Sequence, residues 1–482
     1  MIFWGLLLAA LVPLALSPVP PLVDYPDHLA RMHVLADGGH DPLLARFYQT
    51  RWAVLPNLAM DAVVPFLARW IGLLAAGKLF VIGLALALAG GVAALSRAVH
   101  GRADPFALAG IALLYNYAFL QGLMNWLAGL ALVLWGAALW IGGRDHPAWR
   151  RGVRSAVVVA ALFFCHLYAV GLYGFILLCA EGRRLVRDWR LALAFALPFL
   201  PVPFLLAASP TAGLAGETLF SLGDKGEGLF WLIGSYNDGF DWAWGAGWAA
   251  LLLLAPLRLT KGGWALLLAG AALFLVMPNV LMGAWGADVR LPVGLAFPVI
   301  GFIGTEFRGE RGKRLFMAAV CVLGLLRFGE IGWFWHDLDA QIAEMRSSFA
   351  GIPPGSRILV AEADRPGGNF PLNMALSHAA CLAAADRSAF VADLFAEPGK
   401  QVMAVRPDFL EQSNTEDGDR PALWELNRAL DHPDPVLDQY WHAWRNRFDY
   451  LYILYTDGEA GTVPAFLTPV REGRRFRLYR IG

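Results

Sequence analysis

Charged residues are scarce in this sequence. Only 16% of the 482 residues are Asp, Glu, Lys or Arg, whereas a typical soluble domain carries about 25%. Hydrophobic residues make up 57% of the chain, which argues against a single water-soluble domain. The four cysteines, three of them inside apolar runs, provide no disulfide framework. The basic residues of the apolar part lie mainly in short clusters between apolar runs, so we expect no nucleic-acid partner.

The charges that are present divide the chain into two parts. Residues 335–482 contain 21 acidic and 15 basic residues, whereas residues 1–334 contain 18 and 24. This asymmetry predicts a transmembrane domain over 1–334 and a small α/β domain over 335–482. The second part shows strand patterns at 357–361, 389–392, 450–455 and 476–480, and a helix pattern at 372–385. Its histidines, His378 included, show no metal-ligand spacing and are interpreted as surface or packing residues.

Long apolar runs predict a polytopic α-helical membrane protein, since a bilayer span needs about 20 mostly apolar residues. The candidate runs are 2–20, 78–96, 105–121, 123–142, 155–180, 191–208, 242–257, 264–282, 291–305 and 315–332. The basic clusters of the short loops fall on one side of the membrane only if 155–180 crosses twice, as two short helices that meet near His166. One long tilted span is the alternative.

The double crossing gives about eleven transmembrane helices with a cytoplasmic N-terminus. The first loop, residues 21–77, and the C-terminal domain would then face the periplasm of a bacterial inner membrane. Within the loop, residues 52–77 predict an amphipathic helix on the membrane surface, with Asp61 and Arg69 at its polar edge. Arg327 and Glu330, three residues apart, predict an ion pair within the last span.

The start of the first loop carries the densest group of chemically useful side chains. If a helix begins at Asp24, then Asp24, Asp27, His28 and Arg31 share one face of it. Two carboxylates beside potential cations can take a proton from a hydroxyl, hold a metal ion or stabilise an anionic leaving group. The structural alternative is that Asp24 caps the helix, with Asp27 at the spacing of a capping box.

Three further residues are candidates for substrate binding. Asn125 lies in a tight turn between two spans, where it either binds substrate or caps a helix. His166 interrupts an apolar run and is either functional or hydrogen-bonded inside the bundle. Arg290 stands beside a span, where a guanidinium suits a phosphate group, although pairing with Asp288 is the alternative.

The stretch Asp24-Tyr25-Pro26-Asp27-His28-Leu29-Ala30-Arg31 resembles the D-Y-P-x-H-x-x-R stretch of several bacterial members of the GT-C superfamily of membrane glycosyltransferases. The turn that ends at Asn125 and the layout of the whole chain are similar to theirs as well. The resemblance implies that Asp24 is the catalytic carboxylate and Asp27 a second acid. It also implies a donor sugar carried on a polyprenyl phosphate. Several members have Asp-Glu where this chain has Asp24-Tyr25, so a divalent cation (Mg²⁺ or Mn²⁺) on Asp24 and Asp27 is only one option for a cofactor.

These features lead us to expect an inverting glycosyltransferase embedded in membrane lipids that acts on a lipid or glycan acceptor at the periplasmic face. Residues expected to bind the donor phosphate or the substrate are His28, Arg31, Asn125, His166 and Arg290. An O-antigen polymerase or ligase would instead rely on outward Arg and His residues. A transporter or lipid flippase would need charges along a path through the spans, and a non-catalytic scaffold is the remaining alternative.

Overall fold

The computed structural model describes residues 1–102, 104–214, 216–223, 225–415, 420–431 and 439–482. Its helices are α1 Ile2–Leu16, α2 Tyr25–Asp37, α3 Pro42–Phe47, α4 Ala59–Ile71, α5 Leu73–His100, α6 Ala109–Ala112, α7 Tyr117–Leu120, α8 Met124–Gly142, α9 Ala148–Cys165, α10 Leu167–Arg187, α11 Trp189–Ala196, α12 Pro201–Ala207, α13 Lys225–Phe230, α14 Asp238–Leu254, α15 Lys261–Val276, α16 Ala287–Phe302, α17 Glu310–Ser348, α18 Phe370–Leu376, α19 Ala383–Arg387, α20 Leu423–Asp431 and α21 Trp444–Arg447. Its strands are β1 Tyr48–Thr50, β2 Leu257–Leu259, β3 Val280–Leu281, β4 Ala284–Trp285, β5 Ile303–Thr305, β6 Arg357–Glu362, β7 Phe390–Val391, β8 Met403–Val405, β9 Tyr450–Leu454, β10 Leu467–Glu472 and β11 Phe476–Ile481.

The chain forms two compact units that do not follow a single cut in the sequence. The first unit comprises Met1–Leu16, Val54–Ala59 and Phe80–Trp333, and the second comprises Ser17–Ala53, Met60–Leu79 and Phe334–Gly482. Most of the first loop, which the sequence assigns to the transmembrane domain, therefore groups with the C-terminal residues. The reason is local packing and pairing, because α2 packs on α19 and β1 pairs with β8.

Within the part of the chain that the structure describes, four helical segments are long and apolar enough to cross a membrane. They are Leu73–His100, Met124–Gly142, Trp189–Ala207 and Glu310–Gly351. A helical membrane protein is compatible with this result, but about eleven spans are not. Ile2–Leu16 and Lys261–Val276, for example, have 15 and 16 residues. At 1.5 Å per residue, each is shorter than a hydrocarbon core of about 30 Å.

The run 155–180 is two helices, as predicted, and they fold back on each other. α9 ends at Cys165 and α10 begins after His166, whose Nδ1 accepts a hydrogen bond from the Tyr168 amide at 3.2 Å. The Arg151 guanidinium on α9 lies 3.6 Å from the Glu181 carboxylate on α10. This contact requires the two helices to run antiparallel. The alternative of one long tilted span over 155–180 is therefore wrong.

Inside the first unit, a buried cation joins α14 to α17. Arg327 lies 2.7 Å from Asp241 and 3.2 Å from Glu330, and its guanidinium stacks over the Trp244 ring at 4.4 Å. The predicted ion pair of Arg327 with Glu330 is confirmed. A second carboxylate shares the charge, which lowers the cost of burying it.

The second unit is built on a five-stranded mixed sheet in the order β10-β11-β9-β6-β7. β6 runs parallel to both β7 and β9, whereas β11 is antiparallel to β9 and β10. The four strands predicted from the sequence are all present. The predicted helix 372–385 is broken near His378 into α18, a 3₁₀ turn over Ala379–Leu382 and α19.

α4 of the second unit is amphipathic, as predicted, but it covers only Ala59–Ile71 of the predicted 52–77. Gly72, with φ 81°, ends the helix, and α5 begins at Leu73. α4 buries Met60 and Val64 and exposes Phe66 and Trp70, whose exposed fractions are 62% and 78%. Large apolar side chains left in contact with solvent are typical of a helix that lies on a membrane. The polar-edge interpretation of Asp61 is wrong, however, because this carboxylate is buried.

Candidate functional site

The helix predicted at the start of the first loop is α2, and Asp24 occupies its N-cap position. Pro26 lies in the first turn, where its missing amide proton costs nothing. The Asp24 side chain makes no capping hydrogen bond, however. Helix capping therefore does not explain why this position carries an acidic side chain.

The two acids of α2 differ strongly in their surroundings. The Asp24 side chain is 22% exposed, whereas that of Asp27 is fully buried. Asp27 accepts a hydrogen bond from the Phe395 amide at 3.0 Å. Burial raises the pKa of Asp27 well above its ordinary range, and the nearby Arg31 only partly opposes this. Asp24 is thus the carboxylate that an incoming molecule can reach, and Asp27 belongs to the interior.

His378 lies between the two acids. Its Nε2 is 4.0 Å from an Asp24 oxygen, and its Nδ1 is 3.8 Å from an Asp27 oxygen. Nδ1 is also 3.0 Å from Nη2 of Arg420, and a guanidinium can only donate, so Nδ1 is the acceptor. Burial, together with the charge of Arg420, holds the pKa of His378 well below its usual value. The neutral ring then carries its proton on Nε2, the nitrogen that faces Asp24.

The remaining members of this cluster fix His378 in place. Asp393 is fully buried and accepts hydrogen bonds from Arg420 at 2.7 Å. The Cys381 thiol lies 3.9 Å from Asp393, and burial, reinforced by this carboxylate, raises the pKa of the thiol. The Phe395 ring packs on the imidazole with centroids 4.9 Å apart. We call Asp24, Asp27, His378, Cys381, Asp393 and Arg420 the His378 cluster.

The other two predicted residues of α2 have different surroundings. Arg31 pairs with Asp61 at 3.0 Å, and both side chains are about 1% exposed. The predicted contact of Arg31 with a donor phosphate does not fit this position, because the guanidinium is buried and held by an internal carboxylate. His28 is half-buried, and its ring lies 6.1 Å from that of Phe395.

Three residues of the cluster have ligand atoms close enough together to hold a metal ion. These are Asp27, His378 and Cys381, whose atoms lie within 4.8 Å of one another. Nitrogen and sulfur suit Zn²⁺ better than Mg²⁺ or Mn²⁺, which prefer oxygen ligands. Arg420 would place a positive charge beside any such ion, and Asp24 is not one of the three. The predicted Mg²⁺ or Mn²⁺ site on Asp24 and Asp27 does not fit this arrangement.

The three remaining predicted residues belong to the first unit. Asn125 lies inside α8, one residue beyond its start, and donates to the Asn57 carbonyl at 2.9 Å, so the helix-capping interpretation is wrong. Asp288 pairs with Lys225 at 2.8 Å, and that pair replaces the predicted partner Arg290. His166 and Arg290 are half-buried and near enough to interact electrostatically. The structure thus brings together two of the predicted phosphate ligands.

Sequence reasoning missed four members of the cluster, His378, Cys381, Asp393 and Arg420, and interpreted His378 as a surface or packing residue. They come from segments more than 340 residues away from α2, and no spacing motif links them to it. The one available signal was a histidine and a cysteine three positions apart, His378 and Cys381, in a mostly apolar stretch. Comparisons with family models, with curated proteins and with solved structures give no match to this chain.

Proposed function

We propose that this chain is a membrane glycosyltransferase that moves a sugar from a polyprenyl-phosphate donor to a lipid or glycan of the cell envelope. The single observation that carries the proposal is the position of Asp24. It is a partly exposed carboxylate at the edge of an otherwise buried polar cluster, and its side chain serves no capping role. A general base must be reachable by the acceptor and held by groups that do not compete for its proton.

In the proposed reaction, an Asp24 oxygen removes the proton of an acceptor hydroxyl. The hydroxyl oxygen attacks the anomeric carbon, and the bond from that carbon to the phosphate oxygen breaks. Polyprenyl phosphate leaves as an anion and needs no proton, so one displacement inverts the anomeric configuration. General-base assistance of this kind contributes about 10²–10⁴-fold in rate.

We assign supporting roles to the groups around the base. The Nε2 proton of His378 faces Asp24 across 4.0 Å, a distance that one bridging water can span. Arg420 orients the imidazole through its hydrogen bond to Nδ1.

The test is complementation of cells that lack the gene. Wild type should restore one glycan species in mass spectra of the cell envelope, and Asp24→Asn should not, at equal protein yield in the membrane. Asp408→Asn is the matched control, because this carboxylate is exposed on the second unit and lies outside the His378 cluster. If Asp24 is dispensable while His28 and Arg290 are essential, an O-antigen polymerase or ligase replaces this proposal. If labelled solute crosses proteoliposomes without new glycan, a transporter does.

A further inference from the structure

A second site lies in the first unit, where the turn after α8 meets the end of α10. A cavity of about 290 Å³ opens there. Its lining is dominated by basic side chains: Arg144, His146, Arg151, Arg184 and Arg187. We call this cavity the arginine pocket.

The carboxylates near the arginine pocket are too few to balance its guanidinium groups. Buried Glu181 is shared by three arginines: it accepts from Arg144 Nε at 2.7 Å and lies 3.6 Å from both Arg151 and Arg184. Asp188 accepts from the first backbone amides of α11. Four guanidinium groups therefore face two carboxylates, and the pocket carries an excess of two positive charges.

Arg151 is the residue that points most directly to a ligand. Its side chain is only 4% exposed, and it stacks over the Trp140 ring at 4.3 Å. In the described part of the chain, its Nε has no hydrogen-bond acceptor, and its Nη2 faces only the Glu181 carboxylate, at 3.6 Å. Arg184 and Arg187 are accounted for by the helix C-terminus, which favours cations, but a buried guanidinium that is incompletely hydrogen-bonded is costly. An anion that enters the pocket would complete its hydrogen bonding.

The pocket continues into an apolar groove. This groove has a volume of about 900 Å³, lies between α9 and the pair α11 and α12, and shares Ala148 and Asp188 with the pocket. Exposed Trp149 and Trp189 flank the end that adjoins the arginines. Tryptophan is enriched where membrane meets water, so these rings favour a pocket at headgroup depth with the groove directed towards the acyl chains.

We propose that the arginine pocket and its groove form a binding site for an anionic phospholipid. The phosphate lies among Arg144, Arg151 and Arg184, and the acyl chains fill the groove. Charge complementarity selects the occupant, because an excess of two positive charges disfavours a zwitterionic headgroup. The volume and apolar lining of the groove select a lipid over free phosphate. Basic pockets between helices are a recurrent form of lipid headgroup recognition.

The experiment is a titration of the delipidated full chain in detergent with phosphatidylglycerol, read by native mass spectrometry. The test variant is Arg184→Gln with Arg187→Gln, two exposed residues whose loss should leave the fold intact. The control is Arg154→Gln with Arg183→Gln, which removes the same charge from exposed neighbours outside both the pocket and the groove. We expect about a thirtyfold loss of affinity in the test variant and less than about a twofold loss in the control.

A second arm separates the lipid from free phosphate. Ala156→Trp places a ring in the groove without touching the arginines, and it should abolish phosphatidylglycerol binding. Phosphatidylcholine should bind neither wild type nor variants. Equal losses in the test and control variants would show unspecific charge attraction and overturn the proposal. Full displacement of the lipid by millimolar inorganic phosphate, or undiminished lipid binding by Ala156→Trp, would also overturn it.

Discussion

Replacing Asp27 by Asn should stabilise the protein at neutral pH, although the side chain is fully buried and hydrogen-bonded. The Asp27 carboxyl accepts from the Phe395 amide, and an Asn carbonyl can accept the same bond. Burial raises the folded-state pKa of Asp27 well above its ordinary value. Arg31 could hold the ionised form, but its charge is already shared with Asp61 at 3.0 Å.

The sign of the effect follows from proton linkage. Below about pH 3.8, the carboxyl is protonated in both folded and unfolded chains, and the substitution changes no charge. Above that pH, the unfolded chain releases the proton while the folded chain keeps it, so folding becomes less favourable as pH rises. The loss is about 1.4 kcal/mol for each pH unit until the folded-state pKa is reached. Asparagine removes this loss.

The assay is thermal unfolding in detergent between pH 4 and pH 7.5, with wild type, Asp27→Asn and the exposed control Asp408→Asn. The curves of wild type and Asp27→Asn should nearly coincide at pH 4 and separate as pH rises, with the variant melting at the higher temperature. Asp408→Asn should run parallel to wild type. A variant that matches wild type at pH 4 but melts earlier at pH 7.5 would show that Asp27 is ionised in the folded protein, and the reasoning would be refuted.

Three further substitutions test the second unit. Arg420→Met leaves Asp393 buried without its cation and should cost about 3–5 kcal/mol, seen as early protease cleavage of the C-terminal residues. Gly77→Ala would bring a methyl group within 2.5 Å of side chains on α2 and should cost about 1–3 kcal/mol in chemical unfolding. Asp449 has a pKa below its ordinary value, since its burial is outweighed by hydrogen bonds from Arg357. Its contribution is complete above about pH 4 and is lost as pH falls through the lowered pKa of the folded state. Asp449→Asn should therefore lower the melting temperature at pH 7, by an amount that shrinks as pH falls below 4, as followed by circular dichroism.

Local patterns in the sequence predicted local structure well. The alternation and aromatic content of Tyr450–Leu454 and Phe476–Ile481 identified two central strands. The strand Leu467–Glu472 was missed, because Pro469 and the polar residues around it hide the alternation. The break at His166 was predicted from the positions of the arginine clusters, which indicate how often the chain crosses the membrane. No helix-breaking residue near His166 was used.

The number of spans was not predictable from hydropathy alone. The run 105–121 is as apolar as a span, yet Asn116 caps a new short helix by accepting from the Phe119 amide and thereby interrupts it. Hydropathy measures the polarity of side chains and does not detect such breaks in the backbone.

Only the part of the candidate site that lies on α2 was predictable from the sequence. Asp24 and Asp27 share a helix, so their proximity follows from helical periodicity. Their neighbour His378, and Arg420 that binds His378, reach this helix through tertiary folding across hundreds of residues, which no periodicity encodes. The burial that separates the roles of the two acids is likewise a tertiary property, since only the folded chain covers Asp27 and leaves Asp24 accessible.

The most direct test of a catalytic Asp24 is the initial rate of glycan transfer in membrane vesicles that contain equal amounts of wild type or Asp24→Asn. A general base predicts a fall of at least about 10²-fold in the variant, with unchanged thermal stability. A rate within a few-fold of wild type at equal protein levels would contradict the proposed role of Asp24.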